Sequence, residues 1–239
     1  MTVPPRLDVR RSDARFLTTS PGITTRHAFS FGSHYAPSDI GHALLVAHNE
    51  DRVAAGSGYP THPHRDLEIV TWVVSGALRH QDSSGHSGVV EEGTVQRMSA
   101  GSGVEHAEWN DAAAAQEVRF VQMWVLPDEP GGDPSYSHAP APTGETAVLA
   151  SGLPSHRSEA AVSIAAAAAL HLQRLQAGRS VDLPEAPYLH VFVVDGTVEL
   201  EGAGVLATGD TARFTSPEGV RVTAQVDAEV LVWELHRDR

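Results

Sequence analysis

Short apolar runs, each closed by glycine, aspartate or proline, recur along the whole chain and predict strands rather than long helices. In the first half, residues 43–48, 69–74, 77–81, 93–98, 104–109 and 117–126 read this way. Asn49-Glu50-Asp51 reads as a turn closing the first run, and Ser75-Gly76 as the tight turn of a hairpin. Residues 82–88 form a turn-rich loop. In the second half, 188–200 reads as a hairpin around Asp195-Gly196, followed by runs at 204–210, 212–214, 220–224 and 229–235. Strands at this close spacing imply an all-β barrel or sandwich. Between the halves, 127–142 is dense in proline and glycine, which break regular elements and mark a domain boundary. The run 160–170 conflicts with this picture, because its alanines favour helix.

Composition narrows the classes. A chain of 239 residues, 41% hydrophobic and 20% charged, is long enough to bury a core as one large domain or two small ones. With 17 basic and 30 acidic residues the formal charge is −13, which disfavours a nucleic-acid partner. No cysteine occurs, so disulfides and zinc–thiolate sites are excluded, and a cytoplasmic location fits. No run reaches the roughly 18 apolar residues of a membrane helix, and the start lacks an apolar signal core.

The chemistry-bearing stretch is 56–76. An extended chain turns alternate side chains to one face, so His62 and His64 point the same way. Pro63 between them suits a strand start or edge. If the strand continued without a bulge, Glu68, Val70, Trp72 and Val74 would share that face. A second pair, His106 and Glu108, repeats the i, i+2 spacing after a glycine-rich turn. Brought together across a barrel, the pairs offer three imidazoles and one carboxylate to one cation. A nitrogen-rich set suits iron, nickel, copper, cobalt, zinc or manganese rather than calcium or magnesium.

Gly56, His62, His64, Glu68, Gly76, His106 and Asn110 follow the two motifs of the cupin superfamily. His62-Pro63-His64-Arg65 with His106-Ala107-Glu108 resembles the pirin family within it. The surrounding residues 99–110 and Gln122-Met123-Trp124-Val125 look like its bacterial branch, which includes quercetin dioxygenases. The resemblance spans essentially the whole chain. It implies two tandem cupin-type β-barrels (a bicupin), with residues 1–130 as the metal-binding barrel, 131–145 as a linker and 146–239 as a degenerate barrel. It also implies strands within 160–170, and that reading is preferred to helix there. The run order of the second half echoes the first, as a repeat would. That half keeps only His190 near the first-motif position and has no His-x-Glu, so no metal of the same kind is expected in it.

The resemblance makes His62, His64, His106 and Glu108 the ligands of one divalent transition metal, with iron favoured. Glu68, Trp72, Met98 and Asn110 are expected in the second shell or pocket. His80 is read as structural, and the remaining histidines as surface or core residues. The implied activity is that of a metal-dependent dioxygenase of the quercetin type, cleaving a flavonol-like aromatic hydroxyketone with O2. Glu108 would serve as the catalytic proton acceptor. The alternative implied by the same family is a non-enzymatic, iron-sensing regulator that acts through a protein partner.

Overall fold

Gly76 and Gly196 turn the chain at equivalent corners of two similar halves. Both have left-handed backbones (φ 79° and 90°), and each lies hard against a neighbouring strand start. A Cβ at Gly76 would meet the Glu117 carbonyl at 2.9 Å, and one at Gly196 the Asp227 carbonyl at 2.3 Å. Close passage of backbone, together with positive φ, therefore demands glycine.

The structure is a computed structural model and describes residues 6–239. The first half contains β1 (Arg6–Arg10), β2 (Phe16–Ser20), β3 (Ile23–His27), β4 (Leu45–Val53), β5 (Gly58–His64), β6 (Glu68–Ser75), β7 (Ala77–Asp82), β8 (Ser87–Glu91), β9 (Thr94–Ser99), β10 (Val104–Trp109), β11 (Val118–Val125) and β12 (Ser135–Pro140). The second contains β13 (Thr146–Ser151), β14 (Val162–Ser163), β15 (Ala168–Leu175), β16 (Ser180–Asp182), β17 (Tyr188–Asp195), β18 (Thr197–Leu200), β19 (Gly204–Ala207), β20 (Thr211–Thr215), β21 (Arg221–Ala224) and β22 (Ala228–Leu235). Among the described residues, helical structure is confined to short 3₁₀ turns at Ser12–Ala14 and Pro154–His156. No helix among the described residues is long and apolar enough to cross a membrane.

Four sheets result, a seven-stranded and a four-stranded one in each half. The orders are β12-β9-β6-β11-β4-β3-β2 with β5-β10-β7-β8, and β1-β20-β17-β22-β15-β13-β14 with β16-β21-β18-β19. They match in strand order, as the expected repeat would, except at the outer edge, where β2 pairs with β3 antiparallel but β14 with β13 parallel. The edge strands cross over. β1 pairs with β20 of the second half, and β12, inside 131–145, pairs with β9 of the first. Proline lacks a ladder donor and is tolerated on such an edge.

The two expected hairpins are corners instead. β6 pairs with β9 and β11 while β7 pairs with β8 and β10, so Ser75-Gly76 passes between sheets. Asp195-Gly196 does the same between β17 and β18. Nor do Asn49-Glu50-Asp51 turn. They lie inside β4, buried, because each polar side chain has a partner. His27 Nδ1 donates to Asn49 Oδ1 (2.9 Å), Arg15 and Arg119 hold Glu50, and the Thr25 and Tyr59 hydroxyls donate to Asp51. The alanine run forms β14 and the start of β15, and Ala166, Ala168 and Ala169 are buried as packing residues.

The two large sheets pack face to face. Trp72, Val121 and Met123 from one meet Phe192, Leu231 and Trp233 from the other in a single core cluster. His48 and His190 are enclosed in the same interface, with ring centroids 4.7 Å apart and no hydrogen-bond partner on any ring nitrogen. Burial, helped by Arg15 and Arg213, pushes both well below the usual histidine range.

Candidate metal centre

β5 and β10 pair antiparallel so that His62 stands opposite His106, and a register shift follows between His106 and Glu108. The Nε2 atoms of His62 and His106 lie 3.1 Å apart. His64 completes a triangle of rings, with centroids 4.8 Å from His62 and 4.9 Å from His106. One donor nitrogen from each of the three lies within 4.8 Å of the others. His62 Nδ1–H donates to the Pro60 carbonyl (2.8 Å), which leaves the Nε2 lone pair directed at the group.

The donor set fits a transition-metal ion. His64 Nε2 and His106 Nδ1 are buried with no hydrogen-bond partner. Burial and the neighbouring rings bring His64 down to about 4. Burial, outweighing the Glu108 carboxylate, brings His106 to about 4. Both are therefore neutral at pH 7, the form that ligates.

Glu108 joins the three through His106, in a second set with His80 whose donor atoms also lie within 4.8 Å of one another. It is 1% exposed. Gln96 Nε2 donates to its Oε1 (2.9 Å) and Gln122 Nε2 to its Oε2 (2.7 Å). Each amide is itself oriented, since Tyr136 Oη–H donates to Gln96 Oε1 and Trp124 Nε1–H to Gln122 Oε1. Burial opposes the Glu108 charge, but His80, His106 and Gln122 outweigh it and hold the carboxyl at about 2. Behind it, His80 Nε2–H donates to Asp82 Oδ2 (3.2 Å). Burial opposes protonation of this ring, yet the two carboxylates flanking it raise its pKa.

A cavity of about 420 Å³ opens beside the group, lined by Thr25, His27, Phe31, Asp51, Tyr59, His62, Glu108, Gln122 and Trp124 among others. Burial raises Asp51 to about 6 against the pull of the Thr25 and Tyr59 hydroxyls. The Trp124 ring meets His64 edge-on at 4.9 Å.

Of the residues expected around the site, Met98 packs in the small cluster that includes Trp124. Asn110 anchors the end of β10, donating to the carbonyls of Val53 (3.0 Å) and Gln116 (2.9 Å). Glu68 and Trp72 are elsewhere. Glu68 accepts from Ser99 Oγ (2.8 Å) and meets the Ala165 backbone of the second half. Trp72 Nε1–H donates to Glu229 Oε1 (2.8 Å), also across the interface. The reason is Asp66, whose left-handed backbone (φ 53°) interrupts the strand between His64 and Glu68, so the alternation of β5 does not carry into β6. Conversely, His80, Gln96, Gln122, Asp51 and Tyr59 belong to the site but lie outside both motifs. Only strand parity on β11, which aligns Gln122 with Trp124, offers a sequence signal for any of them.

Paired sheets in duplicate, with a histidine-rich donor set in one half, define an all-β protein of two cupin-type domains. Family models agree: the pirin model matches residues 9–125 and the quercetinase C-terminal cupin domain model residues 149–235. The chain belongs to the pirin family. It is 47% identical over 235 residues (96% of this chain, 95% of the other) to a Mycobacterium tuberculosis protein named "Putative quercetin 2,3-dioxygenase". It is 31% identical to the quercetin 2,3-dioxygenase of Escherichia coli K12, covering 95% of this chain and 97% of that one. Among solved structures, the Escherichia coli pirin YhhW in complex with nickel(II) superposes with a TM-score of 0.90 at 28% identity, covering 97% of this chain and 100% of that one.

Proposed function

We propose that the chain is a metal-dependent dioxygenase of the quercetin 2,3-dioxygenase type, opening a flavonol-like aromatic hydroxyketone with O2. The observation that carries this reading is the meeting of three imidazoles, His62, His64 and His106, beside a cavity whose lining includes His62 and the ionised Glu108 carboxylate. His62, His64 and His106 would hold a divalent transition metal, with Glu108 as the fourth ligand. When bound, such a cation supplies a Lewis-acidic centre that lowers the pKa of a coordinated hydroxyl.

The remaining work falls to the chain's own groups. Glu108, ionised across the neutral range, accepts the substrate's hydroxyl proton. His80 and Asp82 behind it stabilise the carboxylate in place. Trp124 and Phe31 present apolar faces for an aromatic ring, and the Tyr59–Asp51 pair offers hydrogen bonds to ring hydroxyls. The relatives' names support the substrate class.

Aerobic incubation of protein loaded in turn with iron, nickel, copper, manganese or cobalt with quercetin tests the reading. Loss of the flavonol absorbance that needs both metal and His62 is expected. Stable absorbance with every metal, in protein shown to carry one, would overturn it in favour of a regulatory role.

A further inference from the structure

The second half gathers its own donors on different strands. Glu234 on β22 is 5% exposed, and three imidazoles converge on its carboxylate. His171 Nε2 on β15 lies 2.7 Å from Oε2, and His156 Nε2, on the Pro154–His156 turn, 3.3 Å from the same oxygen. His236 Nε2 lies 2.6 Å from Oε1. The His156 and His171 rings stand nearly perpendicular, at 88°, with centroids 5.2 Å apart.

The position is that of the mouth of the first half. Val125 pairs with Glu68 at the start of β6, and Leu235 pairs with Tyr188 at the start of β17. Glu234 thus occupies the place of Trp124, beside which the first histidine group sits. Its sequence order, Glu234-Leu235-His236, reverses that of His106-Ala107-Glu108.

We propose that His156, His171 and Glu234, closed by His236, form a second site for a divalent transition metal, of structural rather than catalytic character. Donors bound to such an ion at about 2.0–2.2 Å are themselves separated by about 2.9–3.5 Å, so the contacts here need only small adjustments. Two or three imidazoles and a carboxylate suit zinc, cobalt, nickel or copper. A lone buried carboxylate is satisfied by one cationic partner, whereas rings from three separate segments make a ligand cage. The His156 and His236 side chains are 21% and 36% exposed, giving an ion a way in. Bound there, it would tie the Pro154–His156 turn and the residue after β22 to the body of the sheet.

Untagged protein, stripped with chelator and loaded with cobalt(II) at micromolar concentration, provides the test through metal content per chain and the visible d–d spectrum. Two ions per chain are expected. One should disappear in His156→Ala and in His171→Ala, and the other in the His62→Ala/His106→Ala double variant, with circular dichroism confirming each fold. The partly exposed His156 keeps the test available if the His171 variant does not fold. A single ion that vanishes with His62 and His106 would overturn the proposal. So would a second ion that survives both His156→Ala and His171→Ala, or that binds only at millimolar cobalt. Because the readout is metal rather than turnover, it is independent of the dioxygenase reading.

Discussion

His62 and His106 face each other across the β5–β10 ladder with their Nε2 atoms 3.1 Å apart. The His62 Nδ1 proton is committed to the Pro60 carbonyl. A neutral ring therefore aims a lone pair at its neighbour, which is favourable only with a proton or a cation between them. Replacing either ring with alanine should lower retained metal by about tenfold or more, comparable to or beyond the loss from outer-shell changes. Metal analysis after dialysis, with circular dichroism to confirm the fold, checks this.

Glu108→Gln separates two roles. Gln96 and Gln122 both donate amide hydrogens to the carboxylate, so a third amide must bring one donor against another. A buried unpaired donor costs about 1–3 kcal/mol, visible as a lower urea midpoint. If Glu108 accepts the substrate proton, turnover falls about 100-fold or more, while metal content falls much less. Equal turnover in the variant would remove that role.

Trp72→Phe tests the placement of Trp72 in the interface between halves. It deprives the half-buried Glu229 carboxylate of its indole donor, and burial already raises that carboxyl's pKa. A loss of about 1 kcal/mol in denaturant unfolding is expected. Metal content and turnover should be unchanged, unlike those of a pocket residue.

Stability should depend on pH through His48 and His190. Unfolded, each takes up a proton near pH 6.5. Folded, each stays neutral to much lower pH, because burial disfavours its charge. Below about 6.5 the unfolded chain thus binds more protons. Stability is complete above that pH and falls on acidification by up to about 1.4 kcal/mol per pH unit for each ring. Urea midpoints at pH 7.5 and 5.5, measured with chelator present, should show a shallower slope in His190→Leu than in the parent chain. Identical slopes would contradict this account.

The imidazole group was legible because its information is local. Two residues apart on a strand means one face, and glycines flank both pairs. The repeat was legible for a similar reason, in the order of apolar runs. The polar floor of the site was not. Gln96, Gln122 and His80 reach Glu108 from β9, β11 and β7, and only the register between strands brings them there. Glu68 and Trp72 were misplaced because one left-handed residue, Asp66, resets the alternation. The corners at Gly76 and Gly196 imitate hairpins in sequence, since a dipeptide such as Asp-Gly serves either turn. What separates them is whether a third strand passes close by. β12 was hidden by prolines that break an interior strand but not an edge.

The pairing of β1 with β20 gives the chain an unusual assembly order. Arg10 emerges from the ribosome roughly two hundred residues before Thr211, its partner in the ladder. At 5–20 residues per second that is a wait of about 10–40 s. Throughout it, Arg6–Arg10 lacks its ladder partner, and β20, once made, keeps a bare edge open to other chains until β1 docks on it. The ladder between β1 and β20 therefore stitches the two halves together, and producing either half alone would leave one of those strands unpaired.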